Sequence, residues 1–408
     1  MKRILYISQY YPPEVGAGAV RAEVMAQALS AAGYEVQVLA ERPNYPLGQP
    51  YPGYKNHSYI EEIYQGVAVT RTWVAMNRRR NLWEQMVFYL TFMVSSLFTV
   101  LQSTQRYDLV IATSPPIFGA ISGALLSQWF GCPFVLEVRD LWPDSAVKKE
   151  LYSQDSWFIG LGKQVEAWLY RRADHVIAVT DAAETIIQSK SGHRRTSIIW
   201  NGVNTELFKK IPSDLWPEDA KKREGTFRVG YVGSLGQIHD IESFIRAAKA
   251  VEHDSNIEFM IVGDGGQQDQ LQNLLETIQP QNVNWVGLKP HEEVPSFMSS
   301  FDLAVNPIHD SEAFRSIITV KFYEYLACEV PVICLASGVQ ERLANTSRAA
   351  ITHQPGDWKS LAADILRLKN NPNDLKELQS PARAFVERNY SRSSQAAQMV
   401  DFVDSLDL

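Results

Sequence analysis

The chain has 408 residues, 45% hydrophobic and 21% charged, the balance of an ordinary folded protein with room for two or three domain cores. A net charge of −7 argues against nucleic acid as the main partner. The three cysteines, Cys132, Cys328 and Cys334, are widely spaced, which excludes a disulfide framework or a CxxC metal pattern and points to buried thiols in a reducing compartment.

The opening MKRILYISQYY reads as a strand and not a signal peptide, because its apolar run is broken by Ser8 and Gln9. Apolar strands are expected at Arg3–Ser8, Glu35–Ala40, Val67–Trp73, Asp108–Thr113, Pro133–Val138, His175–Thr180 and Ser197–Trp200. Helical patterns over Arg21–Ala32, Ile117–Phe130, Phe158–Arg172 and Asp181–Ser189 lie between them. Such alternation specifies a parallel sheet covered on both faces. A charged, proline-bearing stretch, Asn201–Glu224, separates this half from a second set of strands. These are Phe227–Val232, Ile257–Gly263, Val283–Gly287, Leu303–Pro307 and Pro331–Leu335. The expected class is α/β, with two doubly wound parallel-sheet domains, 1–203 and 204–385, and a helical segment, 386–408, packing back on the first. Two such domains facing a central cleft would bind ligands at their strand C-termini.

One segment departs from a plain doubly wound domain. After Arg78–Arg80 comes LWEQMVFYLTFMVSSLFTVLQ, Leu82 to Gln102, with Glu84 its only charge. Its length is close to the ~20 apolar residues of a membrane span, but a span would part strands that should share one sheet. Two readings stay open. The helix is wholly buried, or it lies partly in a membrane surface, with the arginines on anionic lipid and Trp83, Phe88, Phe92 and Phe98 inserted.

Four stretches carry candidate chemistry. The loop after the first strand, SQYYPPEVGAGAVR, sets Gly16 and Gly18 before a helix, where a backbone can approach a phosphate beside Arg21 or Glu14. The alternative is a plain loop-to-helix junction. A dinucleotide site is disfavoured despite Glu41, because the loop is long, holds Pro12-Pro13 and has Arg21 where that fingerprint has glycine. Next, EVRDLWPDSAV gathers Arg139, Asp140 and Asp144 at a strand end, where Asp140 can orient or deprotonate a hydroxyl, or merely pair with Arg139. In the second half YVGSLGQIHD and IVGDGGQ each run strand, glycine turn, helix. Last, a short helix from about Thr319 to Ala327 puts Lys321 and Glu324 on one face. A cation in a helix's first turn invites phosphate, and the carboxylate can accept from sugar hydroxyls; the alternative is an ordinary ion pair. No His, Cys or carboxylate set has recognisable metal spacing, and there is no P-loop or GxSxG elbow.

Together PPEVGAGAVRAEVMAQAL, EVRDLWPDS, WNGVNTELF, YVGSLG, IVGDGGQ, VGLKPHEEV and VKFYEYLACEVPVI resemble the family 4 glycosyltransferases, over nearly the whole chain. The first two look most like the branch that builds bacterial surface polysaccharides, the colanic-acid and O-antigen L-fucosamine transferases. The resemblance implies the GT-B architecture of two Rossmann-like domains. It implies retaining transfer of a hexosyl or N-acetylaminodeoxyhexosyl group from a UDP- or GDP-linked sugar, without metal or cofactor. It further implies a polyprenyl-diphosphate-linked saccharide as acceptor and a cytoplasmic enzyme peripheral on the inner face of the plasma membrane.

By motif, the implied donor site is Gly233, Ser234, Gln237, Gly263, Asp264, Gly265, Leu288, Arg315, Lys321 and Glu324, with Lys321 on the diphosphate and Glu324 on the ribose. The implied acceptor side is Glu14, Gly16, Ala17, Gly18, Arg21, Arg139 and Asp140, and the implied catalytic groups are Asp140, Lys321 and Glu324. The chain departs from the family twice. Ser316 stands where many members have a glutamate eight positions before Glu324, so that carboxylate is absent or comes from Glu312. Ser234, Gln237, Ile238 and His239 occupy the stretch where many members clamp the diphosphate with Arg and Lys, which puts more of that task on Lys321. A nucleotide-sugar 2-epimerase of the same architecture and a non-catalytic sugar-nucleotide binder are the alternatives.

Overall fold

Every strand expected above lies in one of two sheets. The computed structural model describes residues 1–406 except 15, 46–47, 56, 58, 77–81, 144–156, 193–194 and 313. Arg78–Arg80 and Asp144 therefore lie outside the described residues. The chain divides into two units, Met1–Trp200 with Gln395–Leu408, and Asn201–Ser394.

The first unit holds β1 (Arg3–Ile7), β2 (Glu35–Glu41), β3 (Tyr59–Tyr64), β4 (Val67–Thr72), β5 (Leu109–Ser114), β6 (Phe134–Val138), β7 (His175–Ala178) and β8 (Thr196–Ile198). Their order is β3-β4-β2-β1-β5-β6-β7-β8, with β3 antiparallel to β4 and the remaining pairs parallel. The second unit holds β9 (Phe227–Val232), β10 (Ile257–Val262), β11 (Val283–Gly287), β12 (Leu303–Pro307), β13 (Val332–Leu335) and β14 (Ala350–His353) in the all-parallel order β11-β10-β9-β12-β13-β14. Chain direction across the sheet reverses between β1 and β5 and between β9 and β12. Open α/β sheets bind ligands at such points, beyond the strand C-termini. Side chains alternate as a doubly covered sheet requires: Val229, Tyr231 and Val305 pack on one face, Val232 and Ala304 on the other.

Two strands escaped the pattern reading. β3 is an edge strand with every second residue half-buried, and β14 is only four residues long. The C-terminal segment also divides differently from the expectation. Helix Ala382–Asn389 buries Ala382 and Val386 in the second unit's core, against helix Val320–Ala327. Only the stretch from Gln395 belongs to the first unit, where Met399, Phe402 and Val403 of helix Arg392–Asp404 pack with Ile4, Tyr6 and Val36.

The apolar segment is helix Leu82–Gln102, the crossover between β4 and β5. It is not wholly buried. Phe88, Phe92 and Val100 sit in the core, which removes Phe88 and Phe92 from any inserted lip, and Ser96 Oγ bonds Ser122 Oγ at 2.9 Å. The opposite face exposes Trp83 (75%), Leu90, Val94, Phe98 (63%) and Leu101, and Trp129 of helix Ile117–Phe130 is exposed as well. By length and composition this helix could cross a membrane, but β4 and β5 on either side of it belong to the same sheet.

Candidate functional site

In the second unit β9 ends at Val232 and the chain turns at Gly233 with φ 136°, a region that favours glycine. A Cβ at this position would lie 2.7 Å from Lys321 Nζ. Gly263 ends β10 in the same way (φ 135°), and a Cβ on it would lie 2.0 Å from Gly233 O. The two turns thus meet backbone to backbone beside the Lys321 ammonium. They are tied together by Leu235 N donating to Asp264 O (3.0 Å) and Gln267 N to Leu235 O (2.9 Å).

Helix Val320–Ala327 is held over these turns by its apolar and phenolic side chains. Phe322 and Leu326 are buried, and Tyr325 Oη accepts from Val232 N at 2.7 Å. At the helix start Thr319 N donates to Gln340 Oε1 (3.2 Å), and Asn306 Nδ2 donates to Thr319 Oγ1 (2.9 Å). Lys321, only 8% exposed, is thereby aimed at the turn. Its Nζ donates to Tyr231 Oη (2.8 Å) and to His239 Nε2 (3.2 Å), and lies 4.1 Å from the Tyr231 ring centroid. Among the described residues no carboxylate pairs with it, so the Lys321–Glu324 ion pair does not form.

Burial pushes Lys321 down to about 7, with Glu324 pulling weakly the other way. Burial pushes the partly buried Glu324 carboxyl up to about 7, against the pull of Lys321 and Arg392. A buried cation with no carboxylate partner among the described residues, beside two glycine turns, has the chemistry to receive an anion.

The other predicted donor residues are spread around this point. Ser234 and Gln237 are exposed on the first turn, and Asp264 braces its own turn, Oδ1 accepting from Gly265 N at 2.7 Å. Leu288 is 77% exposed just after β11. Arg315 is instead tied to Asp310 at 3.0 Å in an exposed pair, and Ser316 closes the 3-10 turn Phe314–Ser316. Tyr231 and His239, which touch Lys321 directly, were not singled out by motif. His239 sits where a cation was expected and reads in sequence as a gap.

In the first unit two of the predicted acceptor residues, Arg21 and Arg139, meet on a buried carboxylate that the pattern reading did not assign. Glu137, on β6, is fully buried. It accepts from Arg21 Nε (2.7 Å), Arg139 Nη2 (3.1 Å) and Tyr6 Oη (2.8 Å). Arg21 also donates to Trp200 O (2.7 Å) and Ile199 O (2.8 Å), so its guanidinium braces the fold at this point. Arg139 Nη1 donates to Gly18 O at 2.7 Å, which brings the start of helix Ala17–Ala31 against the end of β6. Gly16 caps that helix, Ala17 is its first residue, and Asp140 follows Arg139, whose partner is Glu137. Glu14 is buried, Oε1 accepting from the amides of Asn44 and Tyr45, both at 2.8 Å. Glu41 is buried too, held by Gln9 Nε2 (2.6 Å) and Asn44 Nδ2 (2.7 Å), which removes it as a ribose ligand.

Residues 16–202 match the family described as Glycosyl transferase 4-like domain, and residues 226–371 match Glycosyl transferases group 1. The chain belongs to the family 4 glycosyltransferases. This glycosyltransferase is 23% identical to the Escherichia coli K12 protein named as a colanic acid biosynthesis glycosyl transferase, WcaI, over 98% of this chain and 99% of that one. It is similar in structure to sucrose-phosphate synthase from Thermosynechococcus elongatus, with a TM-score of 0.75 at 19% identity, covering 99% of this chain and 98% of the other. It is also similar to Anabaena HepE in complex with UDP, with a TM-score of 0.73 at 20% identity, covering 100% of both chains. Its two Rossmann-like units are those of the GT-B fold.

For this glycosyltransferase the pair at Lys321 and Glu324 sets a pH dependence. Above about 7 the empty site loses the ammonium, and an anion must bind together with a proton. Below about 7 Glu324 takes up a proton and loses acceptor capacity. If these two groups meet the donor, the expected profile of kcat/KM for donor is a bell centred near pH 7, falling up to about tenfold per pH unit on the alkaline side. A rate that stays flat from pH 7 to 9 contradicts it.

Proposed function

We propose that this glycosyltransferase moves a sugar, with retention of configuration, from a UDP- or GDP-linked donor to a hydroxyl of a polyprenyl-diphosphate-linked saccharide in bacterial surface polysaccharide assembly. The observation that carries this reading is the buried Lys321 ammonium beside two glycine turns, with no carboxylate paired to it among the described residues. Support comes from the relative named for colanic acid biosynthesis, and from HepE, whose structures hold UDP and UDP-glucose.

As the bond between the sugar and the diphosphate breaks, negative charge grows on the leaving phosphate. Lys321, desolvated and fixed by two acceptors, stabilises that charge with no metal ion in the site. Glu324 accepts from the ribose hydroxyls, and Leu288 offers an exposed apolar contact for the base. Asp140 orients the acceptor hydroxyl. The test is incubation with labelled UDP- and GDP-sugars, with and without a polyprenyl-diphosphate saccharide. Labelled lipid formed only when the acceptor is present is expected. Release or epimerisation of the sugar from donor alone points to the epimerase instead, and no turnover under any condition to a non-catalytic binder.

In this reading the enzyme works at the cytoplasmic membrane surface, and the exposed apolar face of helix Leu82–Gln102 supports it. Vesicles containing anionic lipid are expected to bind the protein, and Phe98→Asp or replacement of Arg78, Arg79 and Arg80 by Ala to weaken that binding several-fold. Equal binding by all forms contradicts it.

A further inference from the structure

Lys321 does not hold its own position. An ammonium has three N–H groups and no lone pair, so each neighbour that fixes it must be an acceptor. Tyr231 Oη donates to Ser234 O at 2.9 Å, which turns its lone pairs toward Nζ at 2.8 Å. The second neighbour is His239 Nε2 at 3.2 Å, so in the neutral ring Nε2 accepts and the proton sits on Nδ1. The His239 backbone is held by its amide donating to Gly236 O (2.9 Å) and by a bridge to Ile308 beyond β12, and its ring is buried edge-on to Tyr231 with Nδ1 finding no hydrogen-bond partner among the described residues. Two of the three ammonium hydrogens are thus committed. Among the described residues the third has no acceptor.

We propose that His239 is a positioning residue which, together with Tyr231, acts as a neutral acceptor that aims the remaining Lys321 N–H at a phosphate oxygen of the bound nucleotide diphosphate. This rests on the reading that Lys321 meets the donor diphosphate. A second cation at position 239 would compete with Lys321 for charge in a buried space; a neutral imidazole lets the one ammonium keep its proton. Burial and the nearby Lys321 charge hold His239 far down, at about 3, so it stays an acceptor at every physiological pH. The titratable or charged groups around Lys321 are Tyr231 on β9, His239 beyond the first turn and Glu324 on its own helix, with His309 behind His239 and Arg392 beside Glu324.

The experiment is calorimetric titration of the full chain with UDP and GDP from pH 6 to 9, for the unaltered protein and for His239→Ala, His239→Gln, His239→Lys and Tyr231→Phe. Losing an acceptor from the ammonium is expected to weaken diphosphate binding about tenfold in His239→Ala and Tyr231→Phe. It should also move the alkaline fall in affinity to lower pH, because the charged form has lost a hydrogen bond. His239→Gln, whose Oε1 still accepts, should restore most of both, and His239→Lys should move the fall furthest. Tyr231→Phe keeps the ring, so a cavity does not account for its shift. An alkaline limb unmoved in both His239→Ala and Tyr231→Phe overturns the inference, as does a His239→Gln limb displaced as far as that of His239→Ala. No binding of either diphosphate by the unaltered chain overturns the functional reading, and this inference with it.

Discussion

Lys321→Ala is expected to lower donor turnover by about a hundredfold or more while changing stability by no more than about 1 kcal/mol. The two halves of this result have different causes. The lost rate follows, on the proposed function, from removing the Lys321 charge that lies against the Gly233 turn, where the leaving phosphate would be stabilised. The retained stability follows from the cost of burying an amine without a carboxylate, a cost already visible as the push of Lys321 down to about 7. Taking away a poorly compensated charge offsets much of the packing lost with the side chain. A residue selected for stability would show the reverse, a large drop in melting temperature with donor turnover reduced only in proportion to the protein lost.

Glu137→Gln has the other large expected effect, and it falls on the first unit. The carboxylate is fully buried between two guanidinium groups, those of Arg21 and Arg139, so the amide leaves two cations facing each other without a counter-charge. Breaking a buried ion cluster from one side costs about 3–5 kcal/mol. Hydrogen exchange should show lost protection in β1, β6 and helix Ala17–Ala31 with β9–β13 unchanged, which assigns the loss to one unit; unchanged protection in β1 and β6 contradicts the account. Burial alone would raise the Glu137 carboxyl, but Arg21 and Arg139 outweigh it and hold it down to about 2. The folded value is depressed, so this stabilisation is present above the ordinary value of about 4.5 and is lost as pH falls from there toward 2.

The architecture was legible because each parallel strand, buried on both faces, shows as a short apolar run bounded by turns. β3 was missed for the opposite reason. It is a half-exposed edge strand carrying Glu61 and Glu62, although Gln65 and Gly66, both at positive φ, form a two-residue connection to β4 that sequence does signal. In the second unit the meeting of Gly233, Gly263 and Lys321 was legible where chemistry and spacing coincide. His239 was not, because a motif position lacking its usual cation reads as an absence until the ring is found 3.2 Å from Lys321 Nζ. The Arg21–Glu137 ion pair was not legible, because the two residues lie 116 positions apart and no local pattern joins them. The apolar helix read as two mutually exclusive cases. The fold buries Phe88 and Phe92 while leaving Trp83 and Phe98 outside, a division that depends on which side the sheet takes.

The claim on which the rest depends is that Lys321 meets a diphosphate. The most direct measurement is the affinity of the purified chain for UDP and GDP set beside the bare nucleosides uridine and guanosine, repeated with Lys321→Ala. One diphosphate should bind at least about tenfold more tightly than its nucleoside, and Lys321→Ala should remove that advantage while leaving nucleoside binding unchanged. A diphosphate that binds no better than its nucleoside, or an advantage that survives in Lys321→Ala, would contradict it.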